Sequence, residues 1–228
     1  MLSSIVIIAI FEHLMEKSIF LSVLSKIKEI SLPGDKAHAT VAPPDRMQMI
    51  KAGFSHEFPP KQAAVIICCY PKADNSYYFP LILRTEYPGV HSGQISLPGG
   101  KFDDRDSSLW HTAIRELNEE LGVEVENLEQ IFQLSPLYIP PSNFWVTPYM
   151  AVLETAPFFI PEEREVARVI EMSLEDLTAI KKQEKPITNS YLKEKKVYGY
   201  SIDNQFVWGA TAMILTELKM ILSDVMRN

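Results

Sequence analysis

A short apolar run bounded by prolines constrains the fold of this chain more than any other feature. Residues 63–70 read AAVIICCY and lie between Pro59-Pro60 and Pro71. A continuous apolar run of this length, flanked by residues that interrupt regular structure, is typical of a β-strand buried on both faces. Such a strand needs a layer of structure on each side, so the sequence predicts a layered α/β domain.

Other segments predict the elements around this strand. Tyr77–Arg84 reads as a second strand, in which Pro80 indicates a start at a sheet edge or a bulge. Apolar residues at helical spacing predict helices over Met15–Ile30, from about Ser108 to Leu121, and over Gly209–Met226. Further strands are predicted over Gln130–Leu134, Trp145–Leu153 and Val166–Met172.

The chain divides into residues 1–60, predicted to form an N-terminal helix and an irregular arm that pack on the domain, and a domain over 61–228. Pro43-Pro44 and Pro59-Pro60 oppose regular structure in the arm over 35–61. The apolar stretch Ser4–Phe11 is far shorter than the roughly 20 residues that span a bilayer, and it lacks the basic flank of a signal peptide. It is either a short buried element or lies upstream of a translation start at Met15.

Charge and cysteine content exclude several classes of protein. A net charge of −7 argues against a general nucleic-acid binder, because binding to phosphate backbones needs an excess of Lys and Arg. The two cysteines, Cys68 and Cys69, are adjacent and have neither disulfide-framework nor metal-ligand spacing. We therefore expect a cytoplasmic protein without a nucleic-acid or membrane partner.

Glycines and acidic residues are concentrated in one part of the chain. Four of the nine glycines lie within residues 89–100, and nine of the 29 acidic residues lie within 103–129. In the predicted helix, Glu116, Glu119 and Glu120 are spaced i, i+3, i+4, so their carboxylates are expected to converge. Like charges at this spacing weaken a helix by about 0.2–0.5 kcal/mol per pair. On the glutamate spacing alone a solvated helix face is expected, but Mg²⁺ binds through carboxylates together with substrate phosphates, so a divalent-metal site is the functional interpretation.

Two neighbouring features support that interpretation. Gly99-Gly100 precedes the helix and lets the backbone approach a ligand without a Cβ atom in the way. Arg115 adjoins the glutamates and can hold a carboxylate in a bidentate fork.

This segment resembles the Nudix box of the Nudix hydrolases. Its tail, residues 115–123, matches the pattern REUxEExGU at every fixed position, where U is apolar. The head differs, because Ser107 stands where the pattern has Glu, eight residues before the arginine. Asp106 is the nearest acid, and Gly100 is one residue further from Arg115 than in the generic box.

The form GGKxDxxD over Gly99–Asp106 resembles the coenzyme A pyrophosphatase-like branch of this family. His91–Gly100 is similar to HxGxxxFPGG, Val207–Ala212 to (I/V)WGxTA, and Glu165-Val166 to the EV pair of that branch.

The coenzyme A signature of the branch is matched only in part. It is approximately LLTxRSx3Rx3G, and here Ile82 replaces its threonine while Gly89 stands in place of its second arginine. An arginine at that second position could contact a phosphate, whereas glycine cannot.

The resemblance implies a Nudix-type α/β/α sandwich with a mixed β-sheet. It further implies hydrolysis, dependent on Mg²⁺ or Mn²⁺, of the pyrophosphate bond in a nucleoside diphosphate linked to another moiety, with coenzyme A or a derivative as a candidate. Metal ions must bridge the substrate and the carboxylate cluster, because both are anionic. The implied metal ligands are Glu116, Glu119, Glu120 and Gly100. The implied catalytic residues are Glu120, Glu165 and Arg115, and the substrate-binding residues are Arg84, Gly99, Lys101 and His91.

Several alternatives remain open from the sequence. The general base is Glu120 or an acid of the later loop, for which Glu165 is preferred to Glu162 and Glu163. The substrate could instead be ADP-ribose or a (d)NTP. A non-catalytic nucleotide-sensing module is a further alternative, although all acids of the box tail are present. Relatives are often dimers, so a homodimer is allowed, but no pattern marks its surface.

Overall fold

The apolar run forms the centre of an eight-stranded mixed sheet. The structure is a computed structural model that describes residues 24, 26–27, 30–51, 58–73, 76–86, 91–124, 128–189 and 193–227. The strands of this sheet are β1 (Lys61–Pro71), β2 (Tyr77–Arg84), β3 (Ile95–Ser96), β4 (Gly99–Lys101), β5 (Glu129–Gln133), β6 (Leu137–Ile139), β7 (Phe144–Val152) and β8 (Val166–Ser173). A second sheet contains β9 (Gln183–Asn189), β10 (Lys193–Ile202) and β11 (Gln205–Trp208). The described helices are α1 (Asp35–His38), α2 (Arg46–Lys51), α3 (Leu109–Leu121), α4 (Leu174–Ala179) and α5 (Gly209–Val225), with one 3₁₀ turn at Pro140–Ser142.

Strand β1 pairs along both of its edges. It runs parallel to β7 over residues 61–69. On the other edge it pairs antiparallel with β4 and, at its end, with β2. Pro80 of β2 pairs with Glu171 of β8, and on its other side it falls between the residues paired to β1 and those paired to β3. Its missing N–H is tolerated there because no neighbouring strand is registered against it on that side.

Each face of the sheet is covered by a helix, which confirms the α/β sandwich. Ala113, Leu117 and Leu121 of α3 are fully buried against one face, together with Ala64 and Ile66 of β1. The other face packs against α5, whose buried residues include Leu215, Leu218 and Ile221. The alternation of β1 residues between these two cores explains why the whole run is apolar.

Local capping explains the bounds of α3. Ser108 accepts a hydrogen bond from the His111 N–H and begins the helix, and Gly122, with φ of 65°, ends it. Ser at the N-cap and a left-handed Gly at the end are the favoured residues at these positions. The predicted strands and helices of the domain are confirmed to within two residues at each end.

Two predictions about the periphery are corrected. The arm over 35–61 is not uniformly irregular, because α1 and α2 form on either side of Pro43-Pro44. The sheet of β9, β10 and β11 was not predicted at all, since β9 and the first half of β10 contain several charged residues and β11 has only four residues. The signal for its hairpin was Asp203-Asn204, which takes φ of 47° and 60° and suits a two-residue turn.

The helix predicted over Met15–Ile30 lies mostly outside the described residues, as does the stretch Ser4–Phe11. Of the helix, Leu24 and Ile27 are described, and both are buried in the core that contains α5. Among the described residues, none of the helices combines the length and apolar character that crossing a membrane would take.

Candidate active site

The two glycines of β4 bring backbone into direct contact with the acidic helix. A Cβ atom added at Gly100 would lie 2.5 Å from the carboxyl group of Glu116. At Gly99, which has φ of 148°, it would lie 2.3 Å from the carbonyl oxygen of Ala64. Glycine is therefore required at Gly99, where a Cβ atom would clash with backbone, whereas at Gly100 a Cβ atom would push the Glu116 carboxyl group aside. Strand β4 thus forms a bare wall beside that carboxylate.

Arg115 organises the exposed part of the acidic cluster. Its Nη1 donates to Glu116 Oε1 at 2.9 Å and to Glu119 Oε2 at 2.8 Å. Its Nη2 also donates to the backbone carbonyl of Lys101 at 3.1 Å, which ties the helix to β4. One guanidinium thus fixes two carboxylates in position.

Asp106 is the acid that orients this arginine. Nε and Nη2 of Arg115 donate to the two oxygens of the Asp106 carboxylate at 3.0 Å each, and this contact holds the pKa of Asp106 well below its usual range. The Thr112 hydroxyl and the Asp103 N–H also donate to Asp106. Ser107 instead hydrogen-bonds His111. The extra residue in the box head is therefore accommodated by moving the acid from position 107 to position 106.

Glu120 faces the interior rather than Arg115. Its side chain is almost fully buried, at 1% exposure, and its Oε2 accepts a hydrogen bond from the Gly99 N–H at 2.9 Å. Arg84 Nη1 lies 3.5 Å from Oε1, which has no hydrogen-bond partner among the described residues. Burial raises the pKa of Glu120 to about 8, and the charges of Glu116 and Glu165 add to this, against the opposing effects of Gly99 and Arg84.

Glu165 lies beside the cluster at the start of β8. Its side chain is exposed, and its charge raises the pKa of both Glu116 and Glu120, although burial is the larger cause in each. Its carbonyl accepts from the Thr85 N–H at 3.1 Å, and the Glu162 N–H donates to the Glu120 carbonyl at 3.0 Å. The loop that carries Glu165 is thus attached to the end of α3.

The predicted substrate-binding residues line one cavity of about 290 Å³. Arg84, His91, Gly99 and Lys101 all contribute to its wall. His91 pairs with Gln94 at 3.3 Å, and burial lowers the pKa of His91, as does, to a smaller extent, the charge of Arg84. The sequence did not indicate the rest of the wall, in which Trp208 and residues of the arm take part.

The donor set fits a hard divalent cation, although the carboxylates are held by arginines here. Across the described ranges, no group of three His, Cys, Asp or Glu side chains is placed to hold a metal ion as it stands. The unpartnered Oε1 of Glu120 and the oxygens of Glu116 and Glu119 beside the bare wall of β4 are the ligand types that Mg²⁺ and Mn²⁺ take.

A mixed sheet between helices, with an acidic helix packed on a glycine strand, defines the class as a Nudix-type α/β/α sandwich. The family model of the NUDIX domain matches residues 60–193. The chain is 34% identical over 169 residues to a protein of Pectobacterium atrosepticum named "Uncharacterized Nudix hydrolase NudL", covering 72% of this chain and 84% of that protein. It is 33% identical to the protein of the same name from Yersinia enterocolitica, covering 60% and 70% of the two chains. The chain belongs to the Nudix family, and it is a pyrophosphohydrolase of that family.

Solved structures resemble the chain more distantly. A MutT/nudix family protein from Enterococcus faecalis aligns with a TM-score of 0.47 and 16% identity, covering 78% of this chain and 70% of that one. The NUDIX domain of Shewanella oneidensis NrtR, complexed with ADP ribose, aligns with a TM-score of 0.42 and 18% identity, covering 59% and 86%.

Proposed function

We propose that the protein hydrolyses the pyrophosphate bond of a nucleoside diphosphate linked to a second, elongated moiety, with Mg²⁺ or Mn²⁺ as cofactor and coenzyme A or a derivative as the first candidate substrate. The observation that carries this proposal is the placement of Glu116 and Glu120 against β4, whose glycines also line the cavity, with Glu119 held beside Glu116 by Arg115. The cytoplasmic location, the homodimer and the lack of a nucleic-acid partner stay predictions.

Each residue of the cluster has a distinct role in this proposal. Glu116, Glu119, Glu120 and the Gly100 carbonyl would hold the cation, which when bound supplies charge for the phosphate oxygens and lowers the pKa of the attacking water. Arg115 is a positioning residue, because it holds two of the carboxylates and is itself fixed by Asp106.

The proton from the attacking water passes to a carboxylate of the cluster. Glu120 can accept it, because its Oε1 has no hydrogen-bond partner among the described residues and so keeps a lone pair available. Glu165 is the alternative base, since it is exposed and close enough to act on the charges of Glu116 and Glu120. Arg84, beside Glu120 and on the cavity wall, is positioned to bind a phosphate oxygen.

The cavity supports a substrate with an elongated, partly apolar moiety. Its walls include Ile95, Leu97, Phe144, Val146 and Met213. The replacement of threonine by Ile82 does not argue against coenzyme A, because Ile82 is fully buried in the core under α3 and is not part of the cavity wall. Gly89 lies outside the described residues.

A pyrophosphatase acting on ADP-ribose or a (d)NTP is the second candidate. Trp208 and Tyr138 both line the cavity, and an aromatic ring there could stack on a nucleobase. A non-catalytic sensing module is less well supported, because the box-tail glutamates and the arginine that positions them are all in place.

The test is the double variant Glu119→Gln/Glu120→Gln, assayed with Mg²⁺ or Mn²⁺ on coenzyme A, ADP-ribose, NADH and dNTPs. We expect kcat/KM to fall by about 10³-fold or more on every substrate that the wild type cleaves, since charge stabilisation of the phosphates is lost. The matched control is Glu154→Gln/Glu184→Gln, which removes two exposed carboxylates away from the cluster. Metal-dependent turnover retained by the first variant would overturn the ligand assignment.

A further inference from the structure

The N-terminal arm builds one side of the cavity. Pro43, Asp45, Arg46 and Met49 line it together with the glycines of β4. These residues precede the range 60–193 that the family model matches. Selectivity for the part of the substrate that lies here therefore depends on a segment outside the conserved domain match.

Arg46 is the cation that the arm contributes to the wall. Its Nη2 donates to the Tyr138 carbonyl at 3.1 Å, while its Nε is buried and has no hydrogen-bond partner in the part of the chain that the structure describes. A buried donor without a partner destabilises the fold, so a group that binds this N–H would remove that cost.

No described acid neutralises Arg46 in an ion pair. Its neighbour Asp45 is paired with Lys195 of β10. Asp35 influences Arg46 by charge alone and forms no ion pair with it in the described ranges. One buried N–H of a half-buried cation is therefore left for a group that comes from outside the chain, and an anion satisfies both the charge and the N–H.

The position of Arg46 separates it from the carboxylate cluster. Lys101 of β4, Ala63 of β1, Val146 of β7 and Leu137 of β6 are in register across the sheet. Three strand spacings of about 4.8 Å place β6, to which Arg46 is bonded, roughly 14 Å from the glycine strand. A diphosphate held at the glycine strand leaves Arg46 free to meet a different part of the same molecule.

We propose that Arg46 is a specificity-determining residue that binds a second anionic group of the substrate, separate from the diphosphate, at the end of the apolar cavity formed by the arm. This inference rests on the proposed function, because the substrate's diphosphate must lie at the carboxylate cluster. The apolar wall between the two ends accommodates the part of the substrate that joins the two anions.

The test compares substrates that differ by one phosphate: coenzyme A with 3′-dephospho-coenzyme A, and 2′-phospho-ADP-ribose with ADP-ribose. We expect the wild type to prefer the phosphorylated member of at least one pair by about 10-fold or more in kcat/KM, as for a charge-assisted hydrogen bond. Arg46→Gln should bring that ratio close to one, mainly by raising KM for the phosphorylated member. Arg46→Lys should restore part of it, and Arg105→Gln, an exposed arginine outside the cavity, should leave it unchanged.

The outcomes separate this inference from the proposed function. If the wild type cleaves these substrates without preferring a phosphorylated member, or if Arg46→Gln slows both members of a pair equally, the second-anion site is wrong while the hydrolase function stands. If the wild type cleaves none of them, binding of adenosine 3′,5′-bisphosphate and AMP is measured by calorimetry. Tighter binding of the bisphosphate that Arg46→Gln abolishes supports the site, and equal binding overturns it.

Discussion

Two buried glutamates, one on each helix that covers the sheet, are held in opposite ways. Glu217 on α5 is 0% exposed and Glu120 on α3 is 1% exposed. Glu217 accepts hydrogen bonds from the Gly34 N–H and from the N–H and hydroxyl of Ser135, and it is paired with His38 Nε2 at 3.2 Å. Glu120 accepts one, from the Gly99 N–H, and has an oxygen without a hydrogen-bond partner among the described residues.

The two carboxyl groups accordingly have opposite pKa shifts. Burial alone would raise the pKa of Glu217, but the hydrogen bonds from His38 and Ser135 outweigh it and the net shift is downward. For Glu120 burial dominates, and the pKa rises to about 8. Equal burial therefore gives a stabilising ionised group in one helix and a reactive group in the other, and the number of hydrogen-bond donors decides which.

The largest loss of stability is expected for Glu217→Ala. It leaves the buried His38 and the half-buried Gly34 and Ser135 donors without their acceptor, so the free energy of unfolding should fall by about 3–5 kcal/mol. Urea denaturation at pH 7 measures this, with Glu184→Ala on the surface as the control, expected within about 0.5 kcal/mol of wild type. A loss as small as that of the control would contradict the structural role of Glu217.

Glu120→Gln should instead raise the free energy of unfolding. Because the folded pKa is about 8 and the ordinary value is 4.5, the unfolded chain releases its proton first as the pH rises. Wild-type stability is therefore lost progressively between these two values and is level above pH 8. In the presence of a chelator, the variant should be more stable than wild type by about 4 kcal/mol at pH 8 and nearly equal to it at pH 4. A variant less stable than wild type at pH 8 would contradict the raised pKa of Glu120.

His38→Gln tests one of the side chains that hydrogen-bond Glu217. Its loss should cost about 1–2 kcal/mol at pH 7, since Glu217 keeps its contacts to Ser135 and Gly34. The lowered pKa of Glu217 contributes stability that is present above pH 4.5 and is lost as the pH falls through the folded value. The cost of the variant should therefore shrink in acid, which thermal unfolding at pH 7 and pH 3 measures. A cost independent of pH would indicate a packing role instead.

Ser135→Ala should have the smallest effect, about 1 kcal/mol, because the Ser135 N–H still donates to Glu217. Chemical denaturation of Ser135→Ala and His38→Gln under the same conditions ranks the two hydrogen-bond partners of Glu217 by their contribution to stability. An effect larger than that of His38→Gln would reverse the order proposed for them.

The sequence predicted the elements whose signals are local. The apolar run of β1 and the helical spacing of α3 each depend on residues close together in the chain, and the structure confirms both. The sheet of β9 to β11 was missed because β9 is mostly exposed and β10 begins with a run of charged residues, although Val197, Tyr200 and Ile202 of β10 are buried.

Within the site, the sequence spacing predicted which glutamates lie close together but not which groups each of them contacts. Helical periodicity placed Glu116, Glu119 and Glu120 on one turn. It could not show that Arg115 would hold the first two while Glu120 turns to β4.

The chain alone determined the strand at the centre of the sheet and the acidic helix, because these follow from periodicity and short-range steric rules, and its resemblance to the box motif indicated the family. The tertiary structure alone decided the fork of Asp106 on Arg115, the contrast between Glu120 and Glu217, and the arm's place on the cavity wall. Each of these depends on burial and on partners that folding brings together, such as Gly34 and Glu217, which are 183 residues apart. Solvation and long-range contacts of this kind are properties of the folded chain and leave no local pattern in the sequence.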